Sequence, residues 1–197
     1  MGQGVPQMRG EKANMNMREA IEDAEIGFRQ LEFAIRLLSY CELGHVRPTD
    51  FDTDHLVKLE GGNLHFPSGN FGTADDINRA ASITVLQAFS VNVLVLDKAF
   101  EVAGIKPNPE SPDNLIRLRT LVYMVRCAQA HGPADPRWEV RNKYLRTLSV
   151  DLDGVPVSLD LIALNGQPFA VDQIGGYENW YRIYCIAVRT LKVAQGG

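Results

Sequence analysis

The sequence predicts a mainly α fold, a four- to five-helix bundle with a small β-rich insertion before the last helix. Three observations point there. Apolar residues recur every three or four positions over long stretches, helix-start signals stand ahead of two of these stretches, and one later stretch changes to short apolar runs separated by Asp-Gly and Asn-Gly. At 197 residues the chain suits one domain, able to bury about 70% of its unfolded surface without a metal or disulfide. Residues 1–16, rich in Gly, Asn and Gln, are expected to be disordered. Residues 17–197 are expected to form a single helical domain, with the β-rich insertion at about 144–172.

From Arg18 to Leu43, the positions Ile21, Ala24, Phe28, Leu31, Ala34, Leu38 and Cys41 step by three and four, which predicts a long amphipathic helix. The text from Gly44 to Phe71 is irregular, and VKLEGGNLHF within it predicts a short hairpin turning at Gly61-Gly62. Asp50, Asp52, Asp54 and His55 cluster there, but hard-metal loops also need a fixed turn and further oxygen ligands, so no metal is expected. Thr73, with Asp76 three residues on, predicts a capping box opening a second long helix to about Ala103. Its middle, ASITVLQAFSVNVLVLD, is apolar nearly all round and is expected at the centre of the bundle.

A proline-rich connection leads into SPDNLIRLRTLVYMVRCAQAHGPADPRW. Ser111 as cap and Pro112 at the first helical position predict a third helix, and Gly132-Pro133 predict its stop. Leu115, Leu118, Leu121, Val122 and Val125 mark its apolar face, with Arg119, Tyr123 and Arg126 on another. Asp153-Gly154 and Asn165-Gly166 then predict turns of a small β meander, in which Leu159–Leu164 equally suits one helical turn. Trp180, Ile183, Tyr184, Ala187 and Leu191 define a closing helix over Tyr177–Ala194. Trp138, Trp180 and Tyr181 are expected in the core rather than as base-stacking platforms.

Hydrophobic residues at 45% and charged residues at 22% are ordinary for a globular chain, and the net charge of −4 argues against chain-wide attraction to nucleic acid. The charge is uneven, however. Arg117–Arg146 holds seven basic residues against two acidic ones, a net of +5, which leaves −9 elsewhere. Three cysteines without paired spacing, no apolar leader, and Pro6 where a myristoylation signal wants Ser or Thr predict a cytoplasmic protein with free thiols. The apolar run Ala80–Leu96 is broken by Ser82, Gln87, Ser90 and Asn92, so it is read as a core helix and not as a membrane span.

Within the third helix, Arg126-Cys-Ala-Gln-Ala-His131 has the spacing R-x4-H, and at 100° per residue its two ends project about 140° apart. That suits two sides of a cleft, or a meeting with a second copy across a two-fold axis. With RCAQAHG near the end of a late helix, the bundle resembles the HEPN family, helical domains named for higher eukaryotes and prokaryotes nucleotide-binding. The resemblance covers the four principal helices and implies a metal-independent endoribonuclease or RNA-binding homodimer, without a cofactor. It carries over to Arg126 and His131 alone, as catalytic residues.

The chemistry suits them. Attack of a 2′-hydroxyl on the adjacent phosphorus needs proton transfer and relief of charge on the phosphorane oxygens. His131, from an unperturbed pKa of about 6.5, would act as general acid or base, and Arg126 as phosphate clamp. Arg119, Arg137, Arg141 and Lys143 are the expected RNA- or phosphate-binding residues around them. Active family members often carry a polar residue after the arginine, where this chain has Cys127. The alternative reading is therefore a non-catalytic helical module that binds a protein partner in a regulatory, toxin–antitoxin or defence system. A nucleotide pocket using Arg126 is a third expectation, and a Cys127–His131 nucleophile pair a weaker one, since it lacks a visible third partner.

Overall fold

The computed structural model describes residues 16–130 and 135–196. Helix α1 (Met17–Glu42) is followed by a single turn, α2 (Pro48–Phe51), and by a hairpin of β1 (His55–Leu59) and β2 (Gly62–Phe66). Then come α3 (Ala74–Val102), α4 (Asn114–Gln129), a second hairpin of β3 (Thr147–Asp151) and β4 (Pro156–Asp160), one turn α5 (Leu161–Leu164), and α6 (Gly176–Gly196). The mainly α prediction holds, with two small antiparallel sheets. The expected disorder of the N-terminal segment lies outside the described residues, except at Asn16, which caps α1 through a reciprocal pair of bonds with Glu19.

Side-chain contacts give the directions. Gly27 lies against Asn92 and Val95, while Cys41 shares a small cluster with Ile77 and Ala81, so α1 and α3 run antiparallel. Ser90 bonds Gln129 and Asp97 bonds Arg119, so α3 and α4 are antiparallel as well. Helix α6 returns beside α1 through Phe28 stacked on Tyr184 and Lys192 paired with Glu25, and it is tied to α3 by Trp180 Nε1 donating to Asn92 Oδ1 at 2.7 Å. Both tryptophans, Trp138 and Trp180, are fully buried, as core residues. Tyr181 instead is half exposed and leans on Phe28.

Two expectations about the helices are corrected. The centre of the bundle is α4, whose five consecutive residues Leu118–Val122 are all buried. Helix α3 buries one side only and leaves Ile83, Val91 and Leu94 exposed. By length and composition α3 is long and apolar enough to cross a membrane, with 44% of its most apolar window buried inside the bundle. The second correction concerns the start of α4. Ser111 Oγ accepts from Asp113 N–H, and the Asp113 carboxylate accepts from Leu115 N–H, so the cap moves to Asp113 and Pro112 stays outside the helix.

The β-rich insertion is a hairpin and a helical turn rather than a meander. Asp153 and Gly154 adopt positive φ (53° and 90°) and reverse β3 into β4. Asp160 then caps α5 by accepting from Ile162 and Ala163 N–H, ending the strand. The turn at Asn165-Gly166 leads not to a third strand but back to the exit of α4. Trp138 N–H donates to Gln167 O, Gly166 N–H to Trp138 O, and Phe169 N–H to Pro136 O. This pairing holds the chain after α4 against the bundle. The capping box at Thr73 and Asp76 is as expected, and the Asp50–His55 cluster serves its own loop: Asp52 accepts from Gly69 and Asn70 N–H, and Asp54 from Ser68 N–H.

The close approach of α1 to α3 yields a prediction. A Cβ at Gly27 would stand 2.7 Å from Val95 Cγ2 and 3.4 Å from the Asn92 backbone. Gly27→Leu is expected to force the two helices apart and to destabilise the fold by about 1–3 kcal/mol, read from the urea midpoint.

Candidate functional site

Helix α4 ends at Gln129, with Ala130 as its cap. Arg137 N–H reaches back to the carbonyl of Ala128, satisfying one of the acceptors a helix end leaves open. His131 and the expected stop Gly132-Pro133 lie outside the described residues, so the placement of the motif histidine does too. Arg126 is described. It stands on the last turn of α4, its side chain 42% exposed, at a cleft of about 310 Å³.

One wall of the cleft is the α4 face that carries Tyr123, Arg126 and Cys127, a spacing of three and four that puts them side by side. The other wall is the exit segment, with Glu139, Arg141, Asn142 and Tyr144. Asn142 opens a short 3₁₀ turn, Asn142–Tyr144, with φ at 51°, a left-handed conformation that asparagine tolerates better than most residues. The turn brings Tyr144 onto Tyr123, their ring centroids 5.4 Å apart. The hydrogen bond of Tyr123 with the Cys127 thiol, and then burial, push its phenol up to about 12. Burial raises Tyr144 above its ordinary value as well. Both phenols line the cleft in their neutral form at pH 7.

Arg126 is positioned from below. Its Nε lies 4.0 Å from Asp97 Oδ2, and the other carboxylate oxygen of Asp97 accepts from Arg119 Nη1 at 2.5 Å. Arg119 also donates Nε–H to the carbonyl of Ile105 and lies near the rings of Phe100 and Tyr123. At 2% and 7% side-chain exposure, Arg119 and Asp97 are interior groups. The expectation that Arg119 contacts phosphate is thus corrected: it neutralises a buried carboxylate whose second oxygen faces Arg126.

The remaining expected contacts are on the exit. Arg137 pairs with Asp135 at 3.0 Å and Arg141 with Glu139 at 2.8 Å, while Lys143 is exposed above the Tyr144 ring. Arg141 lines the cleft together with Arg126; Arg137 and Lys143 are not among its lining residues. Two carboxylates from outside the basic window also reach into it, Asp97 to Arg119 and Glu110 to Arg146, so the local +5 is in effect +3. Sequence reasoning missed Asp97 and Tyr144. The signal for Asp97 was present: Phe89, Val93, Asp97 and Phe100 step by four and three along the apolar side of α3, which places a lone carboxylate on a buried face.

Breaking a buried ion pair leaves a charge without a partner, so Asp97→Ala and Arg119→Ala are each expected to cost about 3–5 kcal/mol in urea unfolding. The double variant is expected to cost clearly less than the sum of the two. Comparison with family models, with curated proteins and with solved structures finds no match to this chain.

Proposed function

We propose that this chain is a HEPN-like protein acting on RNA in the cytoplasm as a metal-independent endoribonuclease, working as a homodimer. The observation that carries the reading is Arg126, a half-exposed guanidinium at the mouth of a cleft, held from beneath by a buried carboxylate that is itself neutralised by Arg119. A guanidinium steadied in this way keeps its remaining donors for an anion and loses little freedom on binding one. Arg141 adds a second cation to the same cleft, and the neutral phenols of Tyr123 and Tyr144 line it.

In this reading the RNA 2′-oxygen attacks the adjacent phosphorus as the bond from phosphorus to the 5′-oxygen breaks, and His131 takes the hydroxyl proton as base and returns it as acid to the departing 5′-oxygen. Charge gathering on the phosphorane oxygens is met by Arg126. The products are a 2′,3′-cyclic phosphate and a free 5′-hydroxyl, so protons and charge balance without a metal ion.

A second reading, a non-catalytic module of a regulatory, toxin–antitoxin or defence system, is favoured by one observation. The β1–β2 hairpin is exposed along its whole length, with Val57, Leu59, Leu64 and Phe66 on one face. Single hairpins are marginal in water and gain stability from a partner surface.

The test is cleavage of end-labelled single-stranded RNA in excess EDTA. Wild type is expected to cleave, and His131→Ala and Arg126→Ala to lose at least about 100-fold in rate, the usual size of a general acid–base contribution. Retained cleavage in His131→Ala would sink the proposal, and no cleavage by wild type would favour the second reading. Arg141→Ala and Lys143→Ala are expected to weaken RNA binding with little change in sequence preference. Each is expected to flatten the log–log salt dependence of binding by about 0.7, the slope for one phosphate contact on a single strand.

A further inference from the structure

Between the β1–β2 hairpin and the α2 turn lies an open cavity of about 530 Å³. Three phenylalanines line it: Phe51 from α2, Phe66 from β2 and Phe71 from the segment that leads on to α3. The rings of Phe51 and Phe71 stand nearly perpendicular, at 80° with centroids 5.3 Å apart, so the pair forms a corner of one edge and one face. Phe66 completes the lining from the hairpin, on the same face as Val57. Core packing does not account for all three rings. Phe71 packs against the small cluster of Cys41, Ile77 and Ala81, whereas Phe51 and Phe66 join no buried cluster and are 49% and 51% exposed.

One carboxylate in this lining has no cation beside it. Asp52, half-buried, accepts from Gly69 N–H at 2.8 Å and from Asn70 N–H at 3.3 Å, and it makes no ion pair among the described residues. Its neighbour in the lining, Asp50, is by contrast neutralised by Arg47. Gly69 reaches its bond at φ 104°, a conformation glycine adopts freely. Two backbone bonds fix the Asp52 carboxylate and leave its charge and further lone pairs for something else. With Ser68 N–H donating to Asp54, they also pin the return of the hairpin, so the cavity is built in advance of any occupant.

We infer that this cavity binds a small quaternary ammonium ion, a trimethylammonium group on a short neutral stem. The ring faces of phenylalanine attract a cation through their quadrupole, and the fixed carboxylate adds a full opposite charge. A primary ammonium suits the lining poorly, because its three N–H donors would leave water for phenyl faces that cannot satisfy them. A quaternary ammonium has no N–H to satisfy and lays its methyl groups on the rings. A metal ion is argued against by the donor set: among the described residues no group of three or more His, Cys, Asp or Glu is placed to hold one. A lipid headgroup would bring a phosphate close to Asp52, like charge against like. The cavity shares no lining residue with the Arg126 cleft, so the inference stands apart from the RNA reading.

The test is isothermal titration calorimetry of choline chloride into the full chain. Saturable binding is expected, with a dissociation constant of about 1 mM or lower. Dimethylbutanol, the uncharged carbon isostere of choline, and ethanolamine, its unmethylated counterpart, are each expected to bind at least about fivefold more weakly. Phe51→Leu and Phe66→Leu, at half-exposed positions on separate elements, are each expected to weaken choline binding by about fivefold or more with unchanged far-ultraviolet circular dichroism, and Phe66→Trp to retain it. Absence of saturable heat with choline at about 50 mM overturns the inference. So does equal binding of either analogue, or undiminished binding in both leucine variants. Cosedimentation with phosphatidylcholine vesicles by a chain that leaves choline unbound would also overturn it, by naming a lipid headgroup as the ligand.

Discussion

A carboxylate and a guanidinium taken out of water together, Asp97 and Arg119, constrain much of what surrounds them. Each is tolerable in the interior only because the other is there and because the remaining lone pairs and N–H groups find partners. The bond therefore fixes how α3 and α4 sit side by side, and the Arg119 bond to the carbonyl of Ile105 fixes the loop that joins them. From that anchor follows the placement of Arg126, two further turns along α4, against the second oxygen of the same carboxylate. Replacing the pair by apolar residues of like volume is a step other proteins survive; here it would also leave Arg126 without its support.

The exit from α4 completes the arrangement through backbone pairing. The strand-like return of 136–138 along 166–169 holds the following residues against α4, and the left-handed Asn142 turns Tyr144 onto Tyr123. The β-rich insertion thus has a physical role. It is the brace that keeps the second wall of the cleft in place, and Trp138, its indole N–H donating to Gln173 at 2.7 Å, is the core residue through which the brace is fastened. Cleft and brace lie on one side of the molecule's central helix, while the apolar surface of α1 and α3 is distributed over exposed helix faces. The two features place separate demands on the same four principal helices.

Periodicity made the four principal helices legible, because burial of one helix face writes itself into a sequence at every third or fourth residue. The capping box at Thr73, the hairpin at Gly61-Gly62 and the turn at Asp153-Gly154 were legible for a similar reason: each is decided by residues within a few positions of one another. The start of α4 was misplaced because Ser111 and Asp113 both offer an acceptor, and only the competition between them, settled when Ser111 bonds Asp113 N–H, moves the cap. The central helix was misassigned because α4 carries Arg119 and Thr120 on faces that are nonetheless buried, whereas apolar α3 keeps an open side. Polarity reports the chemistry of a side chain and not which neighbours arrive to satisfy it.

The sequence by itself determined the helical class, the order of elements, the free cysteines and the presence of an Arg-x4-His pair beside an arginine-rich exit, all of them local patterns or compositions. Tertiary structure alone decided that Arg119 is a buried counter-ion, that Asp97 links it to Arg126, and that Tyr144 meets Tyr123 across a cleft. It also decided that Ile83, Val91 and Leu94 on the apolar side of α3 stay exposed among the described residues. These depend on groups 22 to 39 positions apart in the chain, such as Asp97 and Arg119 or Ser90 and Gln129, brought within bonding distance by packing. An ion pair of that kind has no period and no motif, so it exists only once the helices have docked.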